Sequence, residues 1–70
     1  MKADLIALGL TARESDVVEL LVVGLSHKEI AERLSIAPET VKKPTYNAHR
    51  KLGVQNRVQL TYLIQNRVRR

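Results

Sequence analysis

An all-α fold, a bundle of four helices, is predicted by three features of the 70-residue sequence. Apolar residues recur at helical spacing, and no stretch alternates as a strand would. Twice a Ser or Thr is followed three residues later by Glu, the pairing that opens a helix by satisfying its first free N–H groups. Isolated glycines at 9, 24 and 53 stand where the apolar patterns stop, as helix-ending glycines do. No repeat or low-complexity segment interrupts the pattern, and 70 residues make a single domain, 1–70. Phe and Trp are absent and Tyr occurs twice, so the core is aliphatic.

The first ten residues hold one short turn of helix around Asp4 to Leu8, ending at Gly9. Thr11 and Glu14 then open a longer helix, Ala12 to Val23, with Val17, Val18, Leu20 and Leu21 on its buried side. Val22 and Val23 make it apolar nearly all round, which predicts cover on more than one face. Ser26 and Glu29 open a second helix, His27 to Leu34, whose inner face carries Ile30, Ala31 and Leu34. Ser35-Ile36-Ala37 breaks it. Pro38 suits the first position of the next helix, since it lacks only an N–H that would go unpaired. That third helix runs from Pro38 to Leu52, with Val41, Thr45, Ala48 and Leu52 on one stripe. Lys42, Lys43, Tyr46 and Arg50 face away from it. Asn56 with Gln59 is a weaker N-cap pair for a fourth helix, ending about Arg67. Leu60, Leu63, Ile64 and the stem of Arg57 share its inner side, while Val58 and Tyr62 form an outward i, i+4 pair. Residues 26–52, a short helix, a tight turn and an amphipathic basic helix, compose a helix-turn-helix.

Charge is divided along the chain. Residues 1–39 hold four Lys/Arg and seven Asp/Glu, a balance of −3, whereas residues 40–70 hold eight Lys/Arg and no acid. An ordinary charge run is a solvated face, but thirty-one residues without an acid, beginning at an amphipathic helix, call for a polyanion. Double-stranded DNA is the expected partner. Other chemistry finds little support. Cysteine is absent, which removes disulfides and thiolate metal sites. His27 and His49 stand 22 positions apart without a carboxylate at ligand spacing, so no metal is expected. The glycines form no phosphate loop, and Ser15, Ser26 and Ser35 lack a His/Asp arrangement for nucleophilic catalysis. The acidic residues are expected on helix starts and solvent faces. No enzyme activity and no cofactor are predicted. The apolar run at 5–10 falls far below a membrane span, and the expected location is the cytoplasm.

The run LTARESDVVELLVVGLSHKEIAERLSIAPETVKK, followed by RKLGVQNR, resembles the LuxR/GerE-type helix-turn-helix domain of bacterial transcription regulators. The likeness covers about Leu10 to Leu63. L-T-x-R-E, G-L-S-x-K-E-I-A, T-V-K and K-L-G-V-x-N-R are specific in this order and spacing. Region 4 of sigma factors resembles the first half only. The resemblance implies a tetrahelical fold whose third helix enters the DNA major groove and whose fourth often carries a dimer contact. Carried over by position, Lys42, Lys43 and Tyr46 would face base edges, and Lys28, Thr40, Arg50 and Arg57 would sit near phosphates. For Arg50 and Lys51 plain solvation competes with that role, and for Thr40 a local bond to the backbone does. Val58 and Tyr62 become candidates for a homodimer seam.

Three positions depart from the family pattern. Pro44 stands where histidine is common, as the seventh residue of the third helix. It removes the bond to the Thr40 carbonyl and clashes with it, at about 3 kcal/mol or more. Either the helix bends over Thr40 to Pro44, or residues 38–42 form a separate turn and the helix starts at Pro44. The bend is favoured, because T-V-K and its Val41 anchor fit the core stripe. Ala37 replaces a serine N-cap, a loss of about 1 kcal/mol. Ala48 replaces a larger aliphatic residue. The leading function is the DNA-binding domain of a transcription regulator, with specificity reduced or altered at Pro44. The alternatives are a protein-interaction module contacting a partner regulator or RNA polymerase, and a non-specific nucleic-acid binder.

Overall fold

A computed structural model describes residues 2–67. Its helices are α1 (Lys2–Ala7), α2 (Ala12–Val22), α3 (His27–Leu34), α4 (Pro38–Leu52) and α5 (Arg57–Arg67), with no strand among the described residues. The all-α class is as predicted, and the four main helices begin and end within a residue of their expected bounds. The N-terminal turn is a helix in its own right and begins earlier than expected, at Lys2. Leu5 explains this: it is fully buried against α2, and Lys2 pairs with Asp16 of α2 at 2.8 Å. Met1, Arg69 and Arg70, the last two counted in the basic half, lie outside the described residues.

Helix starts follow the capping residues. Thr11 and Ser26 accept from the amides of Glu14 and Glu29, whose carboxylates accept in return from the Thr11 and Ser26 amides. At α5 the pattern is displaced by one. Asn56 accepts from the Gln59 amide at 2.9 Å, while the Gln59 side chain reaches past it to the Gln55 amide at 2.7 Å. The N-cap of α4, Ala37, makes no side-chain bond.

One device closes four helices. At Gly9, Gly24, Ser35 and Gly53 the backbone turns left-handed, and each amide bonds to the carbonyl three residues back. The next amide, of Leu10, Leu25, Ile36 or Val54, bonds to the carbonyl five residues back. Each of those following residues is apolar and packs into or against the core, as this closure favours.

The central helix is α2, which packs against every other helix, while α4 rests on α2 and α3. Val17, Val18 and Leu21 of α2 meet Ile30 and Ala31 of α3, Val41 and Ala48 of α4, and Leu60 and Ile64 of α5 in one aliphatic cluster. Cover on more than one face of α2 holds for Val22, which is half-buried, but not for Val23, which is 64% exposed. Val23 lies one residue beyond the helix, at the cap, where the chain has already turned toward solvent.

Candidate nucleic-acid interface

α4 is one helix from Pro38 to Leu52, so residues 38–42 are not a separate turn. Its inner stripe is the predicted one: Val41, Thr45 and Ala48 are buried and Leu52 half-buried. The Thr45 hydroxyl, which would otherwise be stranded in the core, donates to the Val41 carbonyl at 2.8 Å. Pro44 is half-buried within the helix and has no N–H for the Thr40 carbonyl. Thr40 is exposed, so water can serve that carbonyl, and its hydroxyl makes no bond among the described residues.

The opposite stripe is open. Lys42, Lys43, Tyr46 and Arg50 are all exposed, and Lys28 is exposed in the first turn of α3. Arg57 opens α5 and is half-buried. His49 of α4 lies within the electrostatic reach of Arg57 and of His27, the first residue of α3, and both histidines are half-buried. Among the described residues the buried Nε2 of His49 finds no hydrogen-bond partner. Burial, then the charge of Arg57, then His27, hold the His49 pKa below the ordinary histidine value. Among the described residues no third ligand-type side chain joins the two histidines.

Lys51 departs from this basic surface. Its Nζ donates to Glu14 Oε1 at 2.8 Å, the same oxygen that accepts from the Thr11 amide at 2.9 Å. Glu14 lies at a helix start, as expected of the acidic residues, but at 5% exposed it is buried rather than on a solvent face. Burial raises the Glu14 pKa, but the bonds from Lys51 and Thr11 outweigh it and hold the carboxyl below its ordinary value. The ion pair fastens the end of α4 to the start of α2. The signal for Glu14 is in the sequence, since positions 14, 17, 18 and 21 share one helical face and the last three are core. Lys51 had no such signal.

Two further surfaces flank the helices. A groove between the start of α2 and the outer side of α4 is lined by Arg13, Glu39, Thr40, Lys43 and Asn47, among others. On α5, Val58 and Tyr62 are 77% and 70% exposed, with a shallow depression on each side of them.

Residues 8–64 match the family described as bacterial regulatory proteins, luxR family (GerE). An HTH-type transcriptional regulator of Mycobacterium tuberculosis is 49% identical over 51 residues, covering 73% of this chain and 6% of that protein. The nitrate/nitrite response regulator NarP of Escherichia coli is 50% identical over 54 residues, 77% of this chain and 25% of that protein. A nitrate/nitrite response regulator homolog of Haemophilus influenzae is 48% identical over 60 residues, 83% of this chain and 29% of that protein. The chain therefore spans from 6% to less than a third of the length of these relatives. No solved structure matches it. With the family shown over most of its length, the chain belongs to the luxR family of bacterial regulatory proteins, and its helix-turn-helix is a DNA-binding domain of the kind that transcription regulators carry.

Proposed function

We propose that α4 lies in the major groove of double-stranded DNA with Lys42, Lys43 and Tyr46 toward base edges, while Lys28, Thr40, Arg50 and Arg57 approach phosphates. The observation that carries this reading is the outward stripe of α4, cationic and uncovered, on a helix anchored from behind by Val41, Thr45 and Ala48. A free hydroxyl on Thr40 fits a phosphate contact better than a local bond. Lys51, committed to Glu14, is left out of the set.

The test is selection of bound sequences from a random duplex pool at two salt concentrations. A recovered motif with log affinity falling linearly in log salt supports the reading; each phosphate contact removed lowers that slope by about 0.9. Binding without a motif indicates a non-specific binder. No binding, with a regulator or RNA polymerase recovered as partner, indicates an interaction module. Replacing Pro44 by His tests its weight on specificity, since an unchanged motif and affinity would remove it from the account.

Pairing of two copies through α5 is favoured by the exposed Val58 and Tyr62. A symmetric dimer sets two reading helices about 34 Å apart on half-sites. Analytical ultracentrifugation over a concentration series, with and without DNA, checks it; a strict monomer in both conditions rejects the seam.

A further inference from the structure

We propose that Glu39 is a specificity-determining residue that accepts from the exocyclic amino group of a cytosine at the first turn of α4. This inference rests on the placement of α4 in the major groove.

Glu39 is the sole carboxylate of α4, and the remaining thirty-one residues of the chain contain no other. It is not set apart from the cationic side. Positions 39, 42, 43, 46 and 50 share one stripe at helical spacing, so the acid opens the same face that Lys42, Lys43, Tyr46 and Arg50 continue. It is exposed, and among the described residues neither a hydrogen bond nor an ion pair reaches its side chain. Lys43 lies one turn on, at the spacing and polarity that favour a Glu–Lys pair. Both line the groove beside α2, yet no such pair is formed. Glu14, the other acid of that groove, is by contrast fully engaged by Lys51 and Thr11.

A free carboxylate on the duplex side meets two kinds of surface. Phosphate repels it. Base edges divide by chemistry: guanine presents two acceptors and thymine an acceptor and a methyl group, both unfavourable. Adenine sets an acceptor beside its amino group, whereas cytosine offers a donor alone, the group Glu characteristically accepts from. The N-terminal residues of a reading helix are those that reach base edges. Glu39 thus excludes registers that bring phosphate beside it and rewards the one that brings cytosine. An acid in a first helical turn also suits the helix dipole. That role predicts a loss of stability with no change of base preference, so the two are separable.

The experiment compares motifs selected from one random duplex pool by the unaltered chain, E39Q and E39A, with helix content checked by circular dichroism. The unaltered chain is expected to select a cytosine at one position and to lose about 5- to 150-fold in affinity when it is replaced. E39A flattens that position, and E39Q moves its preference toward adenine, the base glutamine pairs with. If both variants keep the full motif, whether binding every sequence more tightly or melting at lower temperature, Glu39 is a charge or a cap and the inference falls alone. If the unaltered chain selects no motif, the base-reading placement of α4 falls and takes Glu39 with it.

Discussion

Glu14 sits at the edge of an aliphatic core, where an unpaired carboxylate would be costly, and it is held there ionised by the Thr11 amide and Lys51. Glu14→Gln keeps the shape but removes the charge, leaving Lys51 with a neutral partner. A loss of about 1–3 kcal/mol in urea unfolding is expected. Lys51→Met should cost a similar amount, and the double variant less than the sum, because the two act as one interaction. His49 carries the second residue-scale prediction. Its pKa lies below the ordinary value of about 6.5, so the unfolded chain takes up the proton first as pH falls. Stability is then full above about pH 6.5 and declines below it, and the depressed Glu14 adds a further loss nearer the carboxylate range. Unfolding measured from pH 7.5 to 5 should show the first decline, and His49→Leu should flatten it. At this scale the sequence was partly legible. The burial of Glu14 follows from its place on the 14, 17, 18, 21 stripe. Its partner, 37 positions away, depends on how α4 crosses α2, and the environment of His49 on residues from three helices. Neither crossing is written in local spacing.

Helix ends were the most legible elements, because a cap is settled by chemistry within a few residues. The boxes at Thr11 and Ser26 and the stops at Gly9, Gly24 and Gly53 announce themselves. Ser35 does not. It adopts φ 58°, ψ 44° because the turn between α3 and α4 demands a left-handed residue, whatever its identity. A side chain there costs about 1–2 kcal/mol, partly offset by the lower flexibility of serine in the unfolded chain. Ser35→Gly should therefore raise stability by about 0.5–1 kcal/mol in thermal or urea melts. No change would mean that the turn is relaxed with serine in place. Pro44 poses the reverse problem. From sequence alone it could have split α4, but the helix runs through it, with Val41 and Thr45 anchored on either side. The Thr40 carbonyl, for which Pro44 offers no N–H, belongs to an exposed residue, which lowers the penalty of the missing bond. Pro44→Ala restores that bond and should raise the melting temperature, with a gain of about 2 kcal/mol after allowing for the greater freedom of alanine when unfolded.

At the scale of the molecule, the arrangement separates what holds the fold from what meets the ligand. Among the described residues eleven apolar ones are buried, none of them aromatic, and α2 touches every other helix. A 70-residue domain has about 4–10 kcal/mol to lose. Removing one large side chain from α2, as in Leu21→Ala, costs about 2–5 kcal/mol and should unfold the helices together rather than one by one. The outward stripe of α4 belongs to no such cluster. Lys42 and Lys43 are exposed and make no contact that supports the core, so Lys42→Ala and Lys43→Ala should each change stability by no more than about 0.5 kcal/mol. Under the proposed placement of α4 the same changes weaken duplex binding by about 1–3 kcal/mol each if they meet bases, or lower the salt slope by about one each if they meet phosphates. Melting temperature and duplex affinity measured on the three variants would therefore respond in opposite patterns. The leucine variant should lose stability, whereas the lysine variants should lose only their grip on DNA. Unchanged affinity in both lysine variants would move the interface off α4, however basic that face is.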